Sequence, residues 1–194
     1  MRVISGIAGG IPLKVPKTDL RPTMERVKGA IFDSLGEAVV GARVLDLFAG
    51  SGSLGIEALS RGAASATMVE NDPRAVECIR ENLEKTRLKG GVIHAQDIFA
   101  FLHRRAPKQG YDFIIADPPY AKQPGERDFG AELLNDPKLP EALAPNGLFI
   151  LEKLPDAETI SPPPWELVRE RRYGATAVAV YRLRDNSEPA EQRE

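Results

Sequence analysis

Apolar residues from position 44 onward alternate between short continuous runs and helical spacing. The runs are rich in Val and Ile, as in buried parallel strands, and lie at 44–48, 66–70, 91–95, 111–117 and 148–152. The run at 111–117, YDFIIAD, is apolar on both faces and is therefore expected near the middle of a sheet. The alternation predicts an α/β fold in which helices cover a parallel sheet.

Helices are predicted between these strands. They cover 53–61, a segment beginning at Pro73, a segment from Asp97 to about 105, and 129–143. Asp72 is positioned to cap the second helix, and Pro73 suits a first helical turn. The last apolar runs, WELVRERRY and ATAVAVYRL, meet at Gly174 with no room for a helix, so we expect an antiparallel hairpin.

Residues outside this alternation define two further segments. Residues 1–40 hold two strand-like pieces, Arg2–Ser5 and Ile11–Val15, and a helix at 23–35 with apolar residues on one stripe. We interpret them as an N-terminal arm on a domain at 41–184. The polar tail at 185–194 is expected to be disordered.

Composition narrows the class of protein. Hydrophobic residues make up 42% and charged residues 28%, as in ordinary globular domains, and no apolar run approaches the roughly 18 residues of a membrane span. The N-terminus lacks the apolar core of a signal peptide, so we expect a cytoplasmic protein without a membrane partner. The single cysteine, Cys78, excludes an internal disulfide, and no metal-ligand spacing is present. We expect a monomer without metal.

Charge is unevenly distributed along the chain. The 26 Lys and Arg residues against 28 Asp and Glu exclude binding of nucleic acid by bulk charge alone. Basic residues nevertheless exceed acidic ones by 7 to 4 in residues 1–43 and by 5 to 2 in residues 165–184. Such a division is compatible with one phosphate-facing surface or with ordinary solvated faces.

A glycine loop follows the first predicted strand and opens a helix. The segment Asp46–Gly55 contains GxGxxG, and Glu70 follows Gly50 by 20 positions at the end of the second strand. This pairing predicts an adenosine site, in which Glu70 accepts the ribose hydroxyls of NAD or S-adenosylmethionine. Asp46 favours the second ligand, because a carboxylate at that point suits a cationic amino group better than a pyrophosphate. The predicted cofactor-binding residues are Asp46, Phe48, Ala49, Gly50, Ser51, Gly52, Glu70, Asn71, Asp97 and Ile98.

Asp97 has two compatible interpretations. It follows the third strand, where a carboxylate could accept a hydrogen bond from an adenine amino group. It is equally suited to cap the following helix.

The strongest chemical signal is Asp117-Pro118-Pro119-Tyr120, at the end of the predicted central strand. Ligands of open α/β sheets bind at the carboxyl ends of strands. Asp117 and the Pro118 carbonyl can hold the N–H groups of a weakly nucleophilic base amine, and Tyr120 can stack on a base turned out of its helix. We therefore predict Asp117, Pro118 and Tyr120 as the catalytic residues of methyl transfer to an amine.

Two longer segments add a family resemblance. RPTMERVKGAIFDSL at 21–35 and VLDLFAGSGSLGIEALSRGA at 44–63, with Asp117–Tyr120, resemble the bacterial small-subunit ribosomal RNA guanine-N2 methyltransferases over most of residues 1–184. The resemblance implies a Rossmann-like, seven-stranded class I fold with S-adenosylmethionine as cofactor. It implies a guanine of 16S ribosomal RNA as acceptor, within a small-subunit particle. On this basis Arg21, Pro22, Thr23, Arg26 and Lys28 are predicted to contact RNA.

The chain departs from this family at one point. An Arg-rich stretch expected after the first short strand is replaced by Ala8-Gly9-Gly10, which removes two phosphate contacts. Three alternatives stay open: an adenine-N6 DNA methyltransferase, an NAD-dependent oxidoreductase and a non-catalytic RNA-binding module. A DNA methyltransferase would need a target-recognition domain and an oxidoreductase would need a substrate domain, and the sequence shows neither. A non-catalytic module would not explain why Asp46, Glu70 and Asp117 occur together.

Overall fold

The computed structural model describes residues 1–16, 23–121, 123 and 125–184. Its strands are β1 Arg43–Leu47, β2 Ser65–Glu70, β3 Gly91–Ala95, β4 Tyr111–Ala116, β5 Leu143–Lys153, β6 Trp165–Tyr173 and β7 Thr176–Leu183. They form one seven-stranded sheet in the order β3-β2-β1-β4-β5-β7-β6. Strands β1 to β5 are parallel, and β7 runs antiparallel to both β5 and β6. The predicted fold class, central β4 and terminal hairpin are confirmed.

Helices cover both faces of this sheet. Their bounds are α1 Thr23–Leu35, α2 Ser53–Ser60, α3 Pro73–Thr86, α4 Ile98–Arg104, α5 Phe129–Asn135 and α6 Lys138–Ala142, with a 3-10 turn at Gly36–Val39. Alternate strand residues serve the two faces: Leu45 and Ile114 pack with α4, α5 and α6, whereas Val44 and Ile115 pack with α1 and α2. The predicted caps are present, because Asp72 accepts from the Arg74 amide and Asp97 from the Ala100 amide.

Two predicted elements are wrong in their bounds. The helix predicted at 129–143 is broken into α5 and α6, because Pro137 has no amide hydrogen and biases Asp136 to an extended backbone. Strand β5 starts at Leu143 instead of 148 and passes an irregularity opposite Tyr111 and Phe113 before it becomes regular.

The N-terminal segment is more irregular than predicted. Arg2–Ser5 and Ile11–Val15 form one isolated antiparallel bridge, between Arg2 and Pro12, instead of two strands. Pro12 has no amide hydrogen to extend the ladder, and the intervening Gly6 and Gly10 have positive φ.

Buried polar contacts tie this segment to α2. The Glu57 carboxylate accepts from the amides of Ile4 and Ser5 at 2.7 and 3.0 Å, and the Ile7 amide donates to the Ser60 carbonyl. A Cβ at Gly6 would lie 1.8 Å from that carbonyl oxygen, so only glycine fits there. Residues 1–16 therefore pack against the C-terminal half of α2. The division of the chain near residue 40 stays a prediction.

Three predicted features have simple outcomes. The tail at 185–194 lies outside the described residues. None of the helices in the described ranges is long and apolar enough to cross a membrane. Trp165 is fully buried, as predicted for a core anchor, and its indole N–H donates to the Leu134 carbonyl at 3.0 Å.

Replacing Trp165 with Ala should strongly destabilise the hairpin. The indole packs against Phe149 and Tyr181, so the substitution leaves a cavity and an unpaired carbonyl on α5. We expect a loss of about 3–5 kcal/mol in the free energy of unfolding, measured by denaturant titration. Val168→Ala on the same strand is the control, because Val168 is 48% exposed and should change stability by less than about 0.5 kcal/mol. Equal losses would contradict the role of Trp165 in the core.

Candidate active site

An open cleft lies where β1, β4 and β5 end. It measures about 480 Å³, counting space open to solvent. Its walls are residues 48–51 and 53–54 of the glycine loop and α2, Asp117 after β4, Glu152 on β5, and Met1 and Lys28 from the N-terminal elements. The cleft thus unites the two motifs singled out from the sequence.

The glycine loop reaches this cleft through an unusual backbone. Phe48 has φ 62°, a left-handed conformation that non-glycine residues seldom adopt away from functional sites. Gly52 also has positive φ, and a Cβ at Gly55 would lie 2.7 Å from the Met68 side chain. These glycines let α2 approach β2 closely. At Gly50 a Cβ would meet nothing nearer than 3.9 Å, so the loop presents bare backbone at the cleft.

Asp46 is a fully buried carboxylate beneath the loop. Its Oδ2 accepts from the Gly55 amide at 2.9 Å, whereas Oδ1 is buried with no hydrogen-bond partner among the described residues. Burial raises the pKa of Asp46 to about 7; the charge of Glu70 adds to the rise and the Gly55 hydrogen bond opposes it. A nearby cation would stabilise the ionised form of this buried carboxylate.

Glu70 connects the loop to the next turn. Its Oε2 accepts from the Gly50 amide at 2.8 Å, and its Oε1 accepts from the amides of Asn71 and Asp72 at 2.8 and 2.9 Å. A carboxylate has about four acceptor positions, so these bonds leave room for another donor. Glu70 therefore shapes the loop, a role that the sequence analysis missed, and its contact with ribose stays a prediction.

The ends of β2 and β3 carry the other predicted cofactor residues. Asn71 is exposed, Ile98 is buried, and Asp97 caps α4. The predicted residue Phe48 has two neighbours that the sequence analysis missed: its ring is 5.2 Å from the Phe129 ring, and the Arg127 guanidinium lies over the Phe129 ring. These rings form an apolar surface beside the glycine loop.

Tyr120 is anchored on the neighbouring strands. Its hydroxyl lies 3.0 Å from Glu152 Oε1 and 2.6 Å from Thr176 Oγ1. Burial and the nearby Glu152 charge raise the pKa of Tyr120 above its usual range, so the hydroxyl stays protonated. Asp117 is partly exposed and Pro118 is buried at the end of β4. Glu152 and Thr176 were not predicted, since their proximity to Tyr120 follows from sheet topology.

Among the residues predicted to contact RNA, the structure describes the side chains of Arg26 and Lys28. Arg21 and Pro22 lie outside the described residues, as does the side chain of Thr23 at the start of α1. Arg26 is exposed. Lys28 is 2% exposed, and its ammonium donates to the Arg2 carbonyl at 2.7 Å and lies 3.2 Å from Glu57. Burial lowers the pKa of Lys28 although Glu57 opposes this. The RNA contacts of these residues stay predictions.

Metal ligands are not grouped in the described ranges: no cluster of three or more His, Cys, Asp or Glu side chains there could hold an ion.

Sheet order separates the two adenosine-binding classes that the glycine loop left open. Dinucleotide-binding sheets have six parallel strands, whereas here antiparallel β7 is inserted between β5 and β6. This is the sheet of class I methyltransferases, and the chain is an enzyme of that class.

Comparison with known proteins gives the family. Residues 1–182 match the family described as conserved hypothetical protein 95, and the chain belongs to it. It is 38% identical to Bacillus subtilis YlbH over 95% of this chain and 100% of that protein. It is 33% identical to ribosomal RNA small subunit methyltransferase D of Haemophilus influenzae over 96% and 94% of the two chains. The solved structure of Escherichia coli yhhF has a TM-score of 0.77 and 32% identity, and covers 94% of this chain and 97% of that one. The resemblance noted from the sequence is confirmed.

Asp46→Asn is expected to stabilise the ligand-free protein above about pH 7. An aspartate in an unfolded chain titrates near pH 4, whereas the folded protein holds the Asp46 proton up to about pH 7. The stability conferred by this proton is full below about pH 4 and is lost as the pH rises to about 7. We expect the free energy of unfolding of the variant to exceed that of the wild type by an amount that grows between about pH 4 and 8, to on the order of 1–4 kcal/mol. Denaturant titration at each pH measures this difference.

Asp112→Asn provides the opposite case. A hydrogen bond and ion pair with Arg43 lower the pKa of Asp112, so ionised Asp112 stabilises the fold above about pH 4 and loses this effect in acid. Relative to the wild type, the free energy of unfolding of Asp112→Asn should therefore fall as the pH rises through about 4. A parallel pH trend in both variants would contradict the buried charge at Asp46.

Proposed function

We propose that the protein transfers a methyl group from S-adenosylmethionine to the exocyclic N2 amine of a guanine in small-subunit ribosomal RNA. One observation carries this proposal: a single cleft is lined by residues 48–51 of the glycine loop and by Asp117 of the Asp-Pro-Pro-Tyr motif. The family relatives named as ribosomal RNA small subunit methyltransferases support the choice of substrate.

The residues at the glycine-loop end fit the proposed cofactor. Asp46 offers a buried anionic oxygen without a partner in the described ranges, which matches a cationic amino group. Glu70 retains acceptor capacity for ribose hydroxyls, and Asp97 for an adenine amino group. The Gly50 backbone is open to the cleft, so a ligand can approach it without meeting a Cβ.

When bound, S-adenosylmethionine supplies an electrophilic methyl group on a positively charged sulfur. Asp117 and the Pro118 carbonyl accept the N–H groups of the guanine amine, which orients its nitrogen lone pair. With the cofactor bound, its methyl group would pass to the amine nitrogen and its sulfur would leave as the neutral thioether, while Asp117 would take the proton that the amine loses. Orientation of two bound reactants supplies most of the acceleration.

Tyr120 supplies a surface for the base. Because Glu152 and Thr176 hold its hydroxyl, the ring has a fixed orientation in which to stack on a guanine turned out of the RNA. We place the exposed Arg26 and Arg171 on the side that meets phosphate, with the monomeric enzyme acting on an assembled small-subunit particle in the cytoplasm.

Asp117→Ala should abolish methyl transfer while cofactor binding survives. The test is transfer of labelled methyl from S-adenosylmethionine to small ribosomal subunits that lack the modification, followed by nucleoside analysis. We expect N2-methylguanosine with the wild type and at least a 100-fold lower rate with the variant, as for loss of one catalytic group.

Asp128→Ala is the matched control, because Asp128 caps α5 and does not line the cleft. It should retain transfer. No label in ribosomal RNA, with labelled adenine in a parallel reaction that contains DNA, would favour the alternative substrate. Undiminished transfer by Asp117→Ala would remove Asp117 from the reaction.

A further inference from the structure

A second carboxylate lies beside Asp117 in the cleft. Strand β5 pairs in parallel with β4, and Ala116 is opposite Leu151 in this register. The next residues on the two strands are Asp117 and Glu152, and both line the cleft. Ser53, also in the cleft wall, has a buried hydroxyl oxygen with no partner among the described residues, which marks this cavity as a place for a polar ligand.

Two hydroxyl groups hold the Glu152 carboxylate in place. Its Oε1 lies 3.0 Å from the Tyr120 hydroxyl and 2.9 Å from the Thr176 hydroxyl. These two hydroxyls are themselves only 2.6 Å apart, so one of their two hydrogens occupies that contact. The other hydrogen is available to Glu152. The carboxylate is thus oriented by this hydroxyl pair.

The hydrogen bonds that join Glu152 to the Tyr120 and Thr176 hydroxyls do not by themselves require a negative charge at position 152. Glutamine in place of Glu152 could accept the same hydroxyl hydrogen through its amide oxygen. Asp117 and Glu152 both line the cleft, so two carboxylates face the same space. A ligand that presents two neighbouring hydrogen-bond donors matches this pair of acceptors.

Guanine presents such donors on one edge, where N1–H is adjacent to the N2 amine. Adenine carries its amine on C6, on the other side of N1, and its N1 is an acceptor with a lone pair instead of an N–H donor. We propose that Glu152 accepts the N1–H of the target guanine while Asp117 holds its N2 amine, which makes Glu152 the residue that selects guanine over adenine. This inference rests on the proposed function and assigns its base specificity to one side chain.

The test compares two target bases that carry the same N2 amine. Once nucleoside analysis has located the target in wild-type product, that guanine is replaced by 2-aminopurine, which has a lone pair at N1. The wild type should prefer guanine by about 100-fold in kcat/KM, because a site built for a hydrogen bond rejects the analogue that lacks it. Equal use of both bases by the wild type would overturn the inference without any variant.

Glu152→Gln tests the residue itself. The glutamine amide can donate to a lone pair at N1, so the preference for guanine over 2-aminopurine should fall at least tenfold or reverse. The affinity for S-adenosylhomocysteine should be unchanged, because the proposed function assigns binding of this ligand to Asp46 and Glu70, on β1 and β2. Glu158→Gln is the control: Glu158 is exposed and outside the cleft, so this variant should keep the wild-type preference.

The outcomes separate the two proposals. A wild-type preference retained by Glu152→Gln would show that another group reads N1, although the methyl-transfer proposal would stand. Failure of the wild type to methylate ribosomal RNA at all would overturn the proposed function itself.

Discussion

The buried carboxylate of Asp46 is the constraint on which the site depends. It lies inside the sheet at the end of β1 with one hydrogen bond, from the Gly55 amide, and that bond fixes the first turn of α2 against β1. Burial makes ionised Asp46 costly, since its pKa is raised to about 7. A chain that keeps such a group loses stability in the ligand-free state and gains affinity for a cation at one defined place.

The surrounding loop depends on the same geometry. Close approach of α2 to β2 requires Gly55, and the left-handed backbone at Phe48 turns the chain from β1 into the loop. Glu70 then holds this loop from the adjacent strand through the Gly50 amide. Two carboxylates from β1 and β2 therefore organise the proposed cofactor end, and two from β4 and β5, Asp117 and Glu152, face the proposed base. The parallel sheet brings all four to one edge.

Local patterns in the sequence predicted much of the fold. Apolar runs located the strands, and Asp72 and Asp97 marked helix starts, because these signals act over a few residues. The break at Pro137 was missed because helical spacing of apolar residues continues across it. Glu152 and Thr176 were missed because they meet Tyr120 only through sheet pairing across 32 and 56 positions. The burial of Lys28 likewise depends on packing of α1 near Glu57 of α2.

Proton release on ligand binding tests the role of Asp46 most directly. S-adenosylhomocysteine carries the same amino group as the proposed cofactor, and it can be titrated calorimetrically at about pH 6 in two buffers of different ionisation enthalpy. Asp46 is mostly protonated there, because its pKa is about 7, and pairing with the ligand ammonium requires it to ionise. The account predicts release of close to one proton by the wild type and none by Asp46→Asn. Binding of equal affinity to both proteins, without proton release, would contradict it.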